Sequence, residues 1–283
     1  MIIDIAVSDL IFLGVGLLVA GGLTGVLAGV FGVGGGVLIV PVLYELFRYL
    51  SVPEAVIMPL CIGTSLAIII PTSIRSFLAH RAKGAVDGSI LAVWAVPVVT
   101  GVILGGFLAR FLPQEVFKLV FIGVASVSAA RLLFGRDGWV ISSELPGKLV
   151  MRLYGVIIGI LSALMGIGGG QLSSLFMMFY GRPIHQAVAT SSGLGVLISI
   201  PGAISYILAG WSRAADFPEV AVLQPPLALG FVSLIGALFF IPASLLTAPF
   251  GVVLAHSLSK RRLEIAFGIF LVVVALRFVL SIV

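Results

Sequence analysis

Long apolar runs separated by short polar clusters predict ten membrane-embedded helical segments. They lie near 10–31, 37–50, 55–79, 89–111, 115–134, 150–165, 171–181, 186–209, 222–247 and 263–282. A helix rises 1.5 Å per residue, so crossing a hydrocarbon core takes about 20 apolar residues. Segments 37–50 and 171–181 are too short for that and read as half-helices or re-entrant pieces. The turn-rich stretch 135–149 divides the chain almost in half. The expected fold class is an all-α polytopic membrane protein with a first membrane repeat over 1–134, a cytoplasmic linker over 135–149 and a second repeat over 150–283. The repeats are expected to be inverted, five segments each, with helices broken or re-entrant at two glycine runs.

Both short segments begin at those runs. Phe31-Gly32-Val33-Gly34-Gly35-Gly36 precedes the first, and Met165-Gly166-Ile167-Gly168-Gly169-Gly170 precedes the second. Glycine costs a helix interior about 1 kcal/mol relative to alanine, so three together break it. A break at membrane depth frees amides that lipid cannot satisfy, and it survives only against protein or a water-filled cavity. Two such breaks at matching places point to a transporter's substrate site. The halves match further: Cys61-Ile62-Gly63-Thr64-Ser65-Leu66 is echoed by Ala187-Val188-Ala189-Thr190-Ser191-Ser192. Each threonine–serine pair leads into an apolar run interrupted by proline, Pro71 or Pro201. The two spacings differ by about one helical turn, which keeps the same face.

Composition supports the membrane reading. The chain is 60% hydrophobic and 10% charged, with mean hydropathy +1.29; soluble domains carry about 25% charged residues. A net charge of +5 is spread between spans and forms no patch, so no nucleic-acid partner is expected. If each broken unit enters and returns on one side, Arg81, Lys83, Arg136, Lys148, Arg152 and Lys260–Arg262 share the cytoplasmic side, while Asp4, Asp9, Asp216 and Glu219 lie outside. A single crossing by each unit would put Lys260–Arg262 outside, so the returning arrangement is preferred. Asp4 and Asp9 stand where a cleaved leader would carry basic residues, so the first run is expected to be a retained span. Cys61 lies alone in an apolar run and reads as a small core residue.

The chemistry is defined partly by exclusion. His80, His185 and His256 are scattered, no metal-ligand spacing or nucleophile elbow occurs, and neither glycine run carries a phosphate-loop lysine. No catalytic residue, metal or cofactor is expected. No carboxylate falls at the middle of a span, which disfavours a proton relay or a cation site. An anion suits what remains. Helices starting after Gly36 and Gly170 would present unpaired amides and about +0.5 charge each. Gly35, Gly36, Gly169 and Gly170 are candidate amide donors, with Thr64, Ser65, Gln171, Thr190 and Ser191 orienting the ligand. Arg75 could attract an anion to the cytoplasmic mouth. Plainer readings compete: close helix packing for glycines, notably Gly25 and Gly29; back-bonds for hydroxyls; and snorkelling for Arg75, Arg110, Arg131 and Arg277. Glu45 and Arg48 are expected to pair along one helix.

The ordered motifs Gly29–Pro41, Gly63–Leu66, His80 with Gly84–Asp87, residues 163–172 and Ala189–Ser191 resemble the sulfite exporter TauE/SafE family. The resemblance spans essentially the whole chain. It implies a bacterial inner-membrane permease for small anions, notably sulfite, sulfoacetate and other organosulfur compounds. The second half departs from the first where Leu175 answers Pro41. The expectation is therefore a secondary permease in the lipid bilayer that exports a small anion by alternating access. A small cation, metal or neutral metabolite as substrate, a non-transporting scaffold, and a membrane enzyme remain the competing readings. Oligomeric state is left open.

Overall fold

The computed structural model describes residues 7–31, 36–135, 140–216, 227–257 and 260–282. Ten helices are seen among them. The first five are α1 (Val7–Phe31), α2 (Gly36–Tyr49), α3 (Glu54–Ala82), α4 (Gly88–Ala109) and α5 (Gln114–Phe134). The others are α6 (Lys148–Met165), α7 (Gly170–Phe179), α8 (Ile184–Asp216), α9 (Leu234–Ser257) and α10 (Lys260–Leu280). A two-residue hairpin, β1 (Ala228–Leu229) with β2 (Val232–Ser233), precedes α9. Among the described residues, six helices are long and apolar enough to cross a membrane by length and composition, spanning residues of α3, α4, α5, α6, α8 and α9.

Helix boundaries follow local chemistry. Asp87 caps α4, its carboxylate accepting from the N–H groups of Ser89 and Ile90. Ser233 caps α9, its hydroxyl accepting from Gly236 N–H at 3.0 Å. α6 stops where Gly166 adopts φ +66°, and α7 starts after Gly169 at φ +68°, a region that only glycine enters freely. Pro71 and Pro201 sit inside α3 and α8 rather than ending them, as neighbouring helices in a membrane permit.

One expected element moves. The ninth segment, expected over 222–247, is a helix over Leu234–Ser257. Residues 227–233 instead fold into the hairpin and press against the interior: Gly63 abuts the Phe231 carbonyl, and Gly210 abuts Gly230 and Phe231. Apolar composition alone did not separate this buried hairpin from the start of a helix.

The helices pair in reciprocal fashion. α1 runs parallel to α9, with Gly14 against Phe239, Gly21 against Ala243 and Gly22 against Thr247. α4 runs parallel to α6, with Trp94 Nε1 donating to Met151 O at 2.8 Å and Gly105 against Ala163. α3 and α8 cross antiparallel, since Tyr206 meets Gly63, Leu66 meets Gly202 and Ser73 meets Gly195. α5 and α10 are also antiparallel: Arg261 donates to the Leu132 and Leu133 carbonyls, and Lys118 donates to Ser281 O. Both short helices double back. Leu46 of α2 touches Gly16 of α1, and the Phe176 ring of α7 lies 4.6 Å from that of Tyr154 on α6. Ile141 N–H donates to Phe179 O at 2.8 Å, so the far end of α7 returns to the stretch that precedes α6.

Candidate functional site

The start of α2, at Gly36, meets the second glycine run in the interior of the protein. A Cβ built on Gly36, the first residue of α2, would lie 3.0 Å from Ile167 Cα and 3.3 Å from Gly166 O. Ser65 Oγ donates to Gly166 O at 2.8 Å, which ties α3 to the second turn. Gly35 lies outside the described residues.

The start of α7 carries unmet hydrogen-bonding capacity. Its first amide with an acceptor is Ser173 N–H, bonded to Gly169 O at 3.0 Å. No acceptor among the described residues takes the N–H of Gly170, Gln171 or Leu172. Ser162 Oγ is fully buried and unpartnered, 3.4 Å from where a Gly169 Cβ would stand. Gln171 Oε1 is likewise buried without a partner. Three amides at a helix N-terminus and a spare hydroxyl form a donor-rich stretch, with the Gln171 side-chain oxygen as an unmet acceptor beside it.

The hydroxyls singled out from sequence serve mainly to join helices. Thr64 Oγ1 accepts from Ser233 N–H at 2.9 Å, and Thr190 Oγ1 accepts from Asp87 N–H at 2.9 Å. Each threonine thus holds the capping residue of the following long helix, α9 or α4. Ser191 Oγ donates to Val188 O and accepts from Ser174 Oγ at 2.8 Å. Arg75 is exposed on α3. The expected Glu45–Arg48 pair is replaced by a contact between helices: Arg277 Nε meets Glu45 Oε1 at 2.8 Å. Two carboxylate oxygens presented to the neighbouring α10 give a fork-shaped match that a local pair lacks.

Several residues escaped sequence reading. Ser162 is a single hydroxyl in an apolar run with no local motif, and Ser73 stands among Thr72, Arg75 and Ser76 near the polar end of its segment. Lys118 is 1% exposed. Its ammonium lies 3.7 Å from Glu54, 3.3 Å from Ser281 O and 5.1 Å from the Tyr44 ring centroid. A lysine early in an apolar segment was the available signal. Away from the glycine turns, a cavity of about 260 Å³ lies between α5 and α10, lined by Ile122, Ser126, Leu133, Val272 and Leu276 among others.

Outside the spans, Asp87 shows how the cap is held. Partial burial pushes its carboxyl pKa up. Hydrogen bonds from Ser89 and Ile90, with the Arg182 charge nearby, outweigh that and leave it below the ordinary value.

Comparison with known proteins gives a consistent picture. Residues 17–278 match the family profile described as Sulfite exporter TauE/SafE. A probable membrane transporter protein of Haemophilus influenzae is 30% identical over 264 residues, covering 93% of this chain and 97% of that protein. A probable membrane transporter protein of Methanocaldococcus jannaschii is 32% identical over 195 residues, covering 68% of this chain and 72% of that protein. A third, YunE of Bacillus subtilis, is 26% identical over 69% of this chain and 78% of its own length. No solved structure matches.

Proposed function

The chain belongs to the sulfite exporter TauE/SafE family of multi-pass membrane transporters, and from that premise we propose that it moves a small anion, sulfite, sulfoacetate or a related organosulfur compound, outward across a bacterial inner membrane. The observation that carries the anion reading is the start of α7, where unaccepted amides and Ser162 Oγ gather at the second glycine turn, next to the Gln171 side chain. An oxyanion offers several strong acceptors to such donors. A cation would meet a helix N-terminus of the wrong sign.

The reciprocal pairing supports two inverted repeats, 1–134 and 150–283, joined by 135–149. A two-fold axis perpendicular to the antiparallel α3 and α8 exchanges α1–α9 with α6–α4 and leaves α5–α10 paired. With α3 and α8 spanning, that axis lies in the membrane plane. Alternating access then opens the glycine turns to each side in turn. An inside-negative potential favours anion exit by about 2.3 kcal/mol per charge per 100 mV, so export needs no coupling ion.

The test is labelled sulfite and sulfonate efflux from proteoliposomes. Ser162→Ala removes a buried hydroxyl that nothing in the protein satisfies, so unfolding temperature should hold or rise. As a ligand, Ser162 should cost about tenfold in kcat/KM when lost, and Gln171→Leu should do likewise. Unchanged anion flux in both variants, or flux of a cation or neutral solute with anions inert, overturns the reading.

A further inference from the structure

Each short helix meets an arginine near its far end, and the two meetings differ. α5 and α10 are both 21 residues long, and Arg131 and Arg277 stand three residues before their ends. Each arginine reaches the residue nine positions past the first residue of a short helix from the other half. Arg277 meets Glu45 of α2, and Arg131 meets Phe179 of α7. The places correspond, but the chemistry does not. Arg277 contacts Glu45 through Nε at 2.8 Å and through Nη2 at 3.2 Å. Arg131 lies instead over a ring face, its guanidinium carbon 4.1 Å from the Phe179 centroid. Its Nη1 is buried with no acceptor among the described residues. Arg182, three residues beyond Phe179, likewise has a buried Nε without an acceptor.

We propose that Arg131, with Arg182 at the same end of α7, is where an oxyanion first binds before it is carried outward. Three observations carry this. First, an aromatic ring attracts a cation but accepts no charge-assisted hydrogen bond, so the guanidinium keeps its demand for oxyanion acceptors. Second, the carboxylates that act on the two arginines are engaged elsewhere. Glu264 acts on Arg131 but stands 3.5 Å from Arg261. Asp87 feels the Arg182 charge but accepts from Ser89, Ile90 and Gln186. Third, this end of α7 lies on the side that the positive-inside rule makes cytoplasmic. Phe179 O accepts from Ile141 N–H at 2.8 Å, in the stretch that leads to Lys148 and Arg152. Outward transport thus collects its anion at an arginine with hydrogen-bonding capacity to spare. It delivers the anion to the side where the corresponding arginine is already matched to Glu45.

The inference rests on the anion-export reading. The test is efflux of labelled sulfite from right-side-out membrane vesicles, with the internal concentration varied to separate KM from kcat. Arg131→Gln should raise KM about tenfold with kcat within about twofold, and Arg131→Lys should restore much of the loss. Phe179→Glu gives Arg131 the carboxylate that Glu45 gives Arg277, and it should raise KM about as far. Phe179→Leu removes the ring without adding charge and should leave KM unchanged. A merely structural Arg131 reverses that pattern: Phe179→Leu would then act on transport and Phe179→Glu would not. If the wild type exports sulfite while Arg131→Gln and Phe179→Glu leave KM unchanged, or if the reversed pattern appears, this inference alone is overturned. If the wild type exports no anion, both readings fall together.

Discussion

Two kinds of helix contact hold this protein together, and they differ in what touches what. Where α1 meets α9 and α4 meets α6, some glycines meet side chains, as Gly14 does Phe239, but others press on backbone. Gly25 abuts the Ser244 carbonyl, Gly101 abuts the Val156 carbonyl and Gly159 abuts the Val98 carbonyl. Where α3 crosses α8, glycines face side chains instead: Gly193 meets the Phe77 ring, Gly195 the Ser73 hydroxyl and Gly202 the Leu66 methyl. Backbone cannot yield without moving a whole helix, whereas a side chain can change rotamer. The parallel seams are thus the stiff parts, and the central crossing is where sliding is cheap. Each stiff pair joins one helix from each half of the chain.

The largest expected effect tests that contrast directly. Gly159→Ala places a methyl into the Val98 carbonyl and should cost more than about 3 kcal/mol, lowering the yield of monodisperse protein in detergent. Gly202→Ala meets only side chains, Leu66 Cδ1 at 2.9 Å and Val102 Cγ1 at 3.4 Å, and should cost under about 1.5 kcal/mol because the Leu66 methyl can swing aside. Equal losses would erase the distinction.

Next in size are the two threonines. Thr64→Val and Thr190→Val each strand a backbone N–H, of Ser233 or Asp87, and should lower stability by about 1–3 kcal/mol. Matched losses in thermal unfolding, each restored by serine, would sharpen the equivalence of α4 with α9. Loss at one position alone would break it.

Smaller still is the cap. Asp87→Ala should cost about 1 kcal/mol. Because the folded carboxyl titrates below its ordinary value, its contribution is complete above about pH 4 and fades as pH falls through the lowered value. A wild-type advantage over Asp87→Ala that does not shrink as pH falls below about 4 would contradict this. Smallest is a gain: Gly123 in α5 has nothing within 4 Å of a built Cβ, so Gly123→Ala should stabilise by up to about 1 kcal/mol.

The sequence made the helices legible because hydropathy is local. Boundaries of α2, α3, α4, α5 and α7 fall close to where apolar runs end. The hairpin before α9 was hidden, since Phe231 and Val232 are buried against α3 and α8 and look as apolar as helix. The end of α6 at Met165 and the start of α7 at Gly170 fall at the second glycine run, while residues 32–35 of the first lie outside the described residues. The duties of the hydroxyls were not legible, because Thr64 answers Ser233 and Ser65 answers Gly166, partners distant in sequence. Glu45 illustrates the same limit: its nearest cation along the chain loses to Arg277, which only folding brings near.

The pairing of α1 with α9 also governs how the chain is made. At 5–20 residues per second, α9 leaves the ribosome roughly ten to forty seconds after α1. Through that interval the glycine face of α1 sits in lipid with no mate. A nascent chain truncated before α9 would never cover that face, which makes such fragments natural prey for membrane quality control.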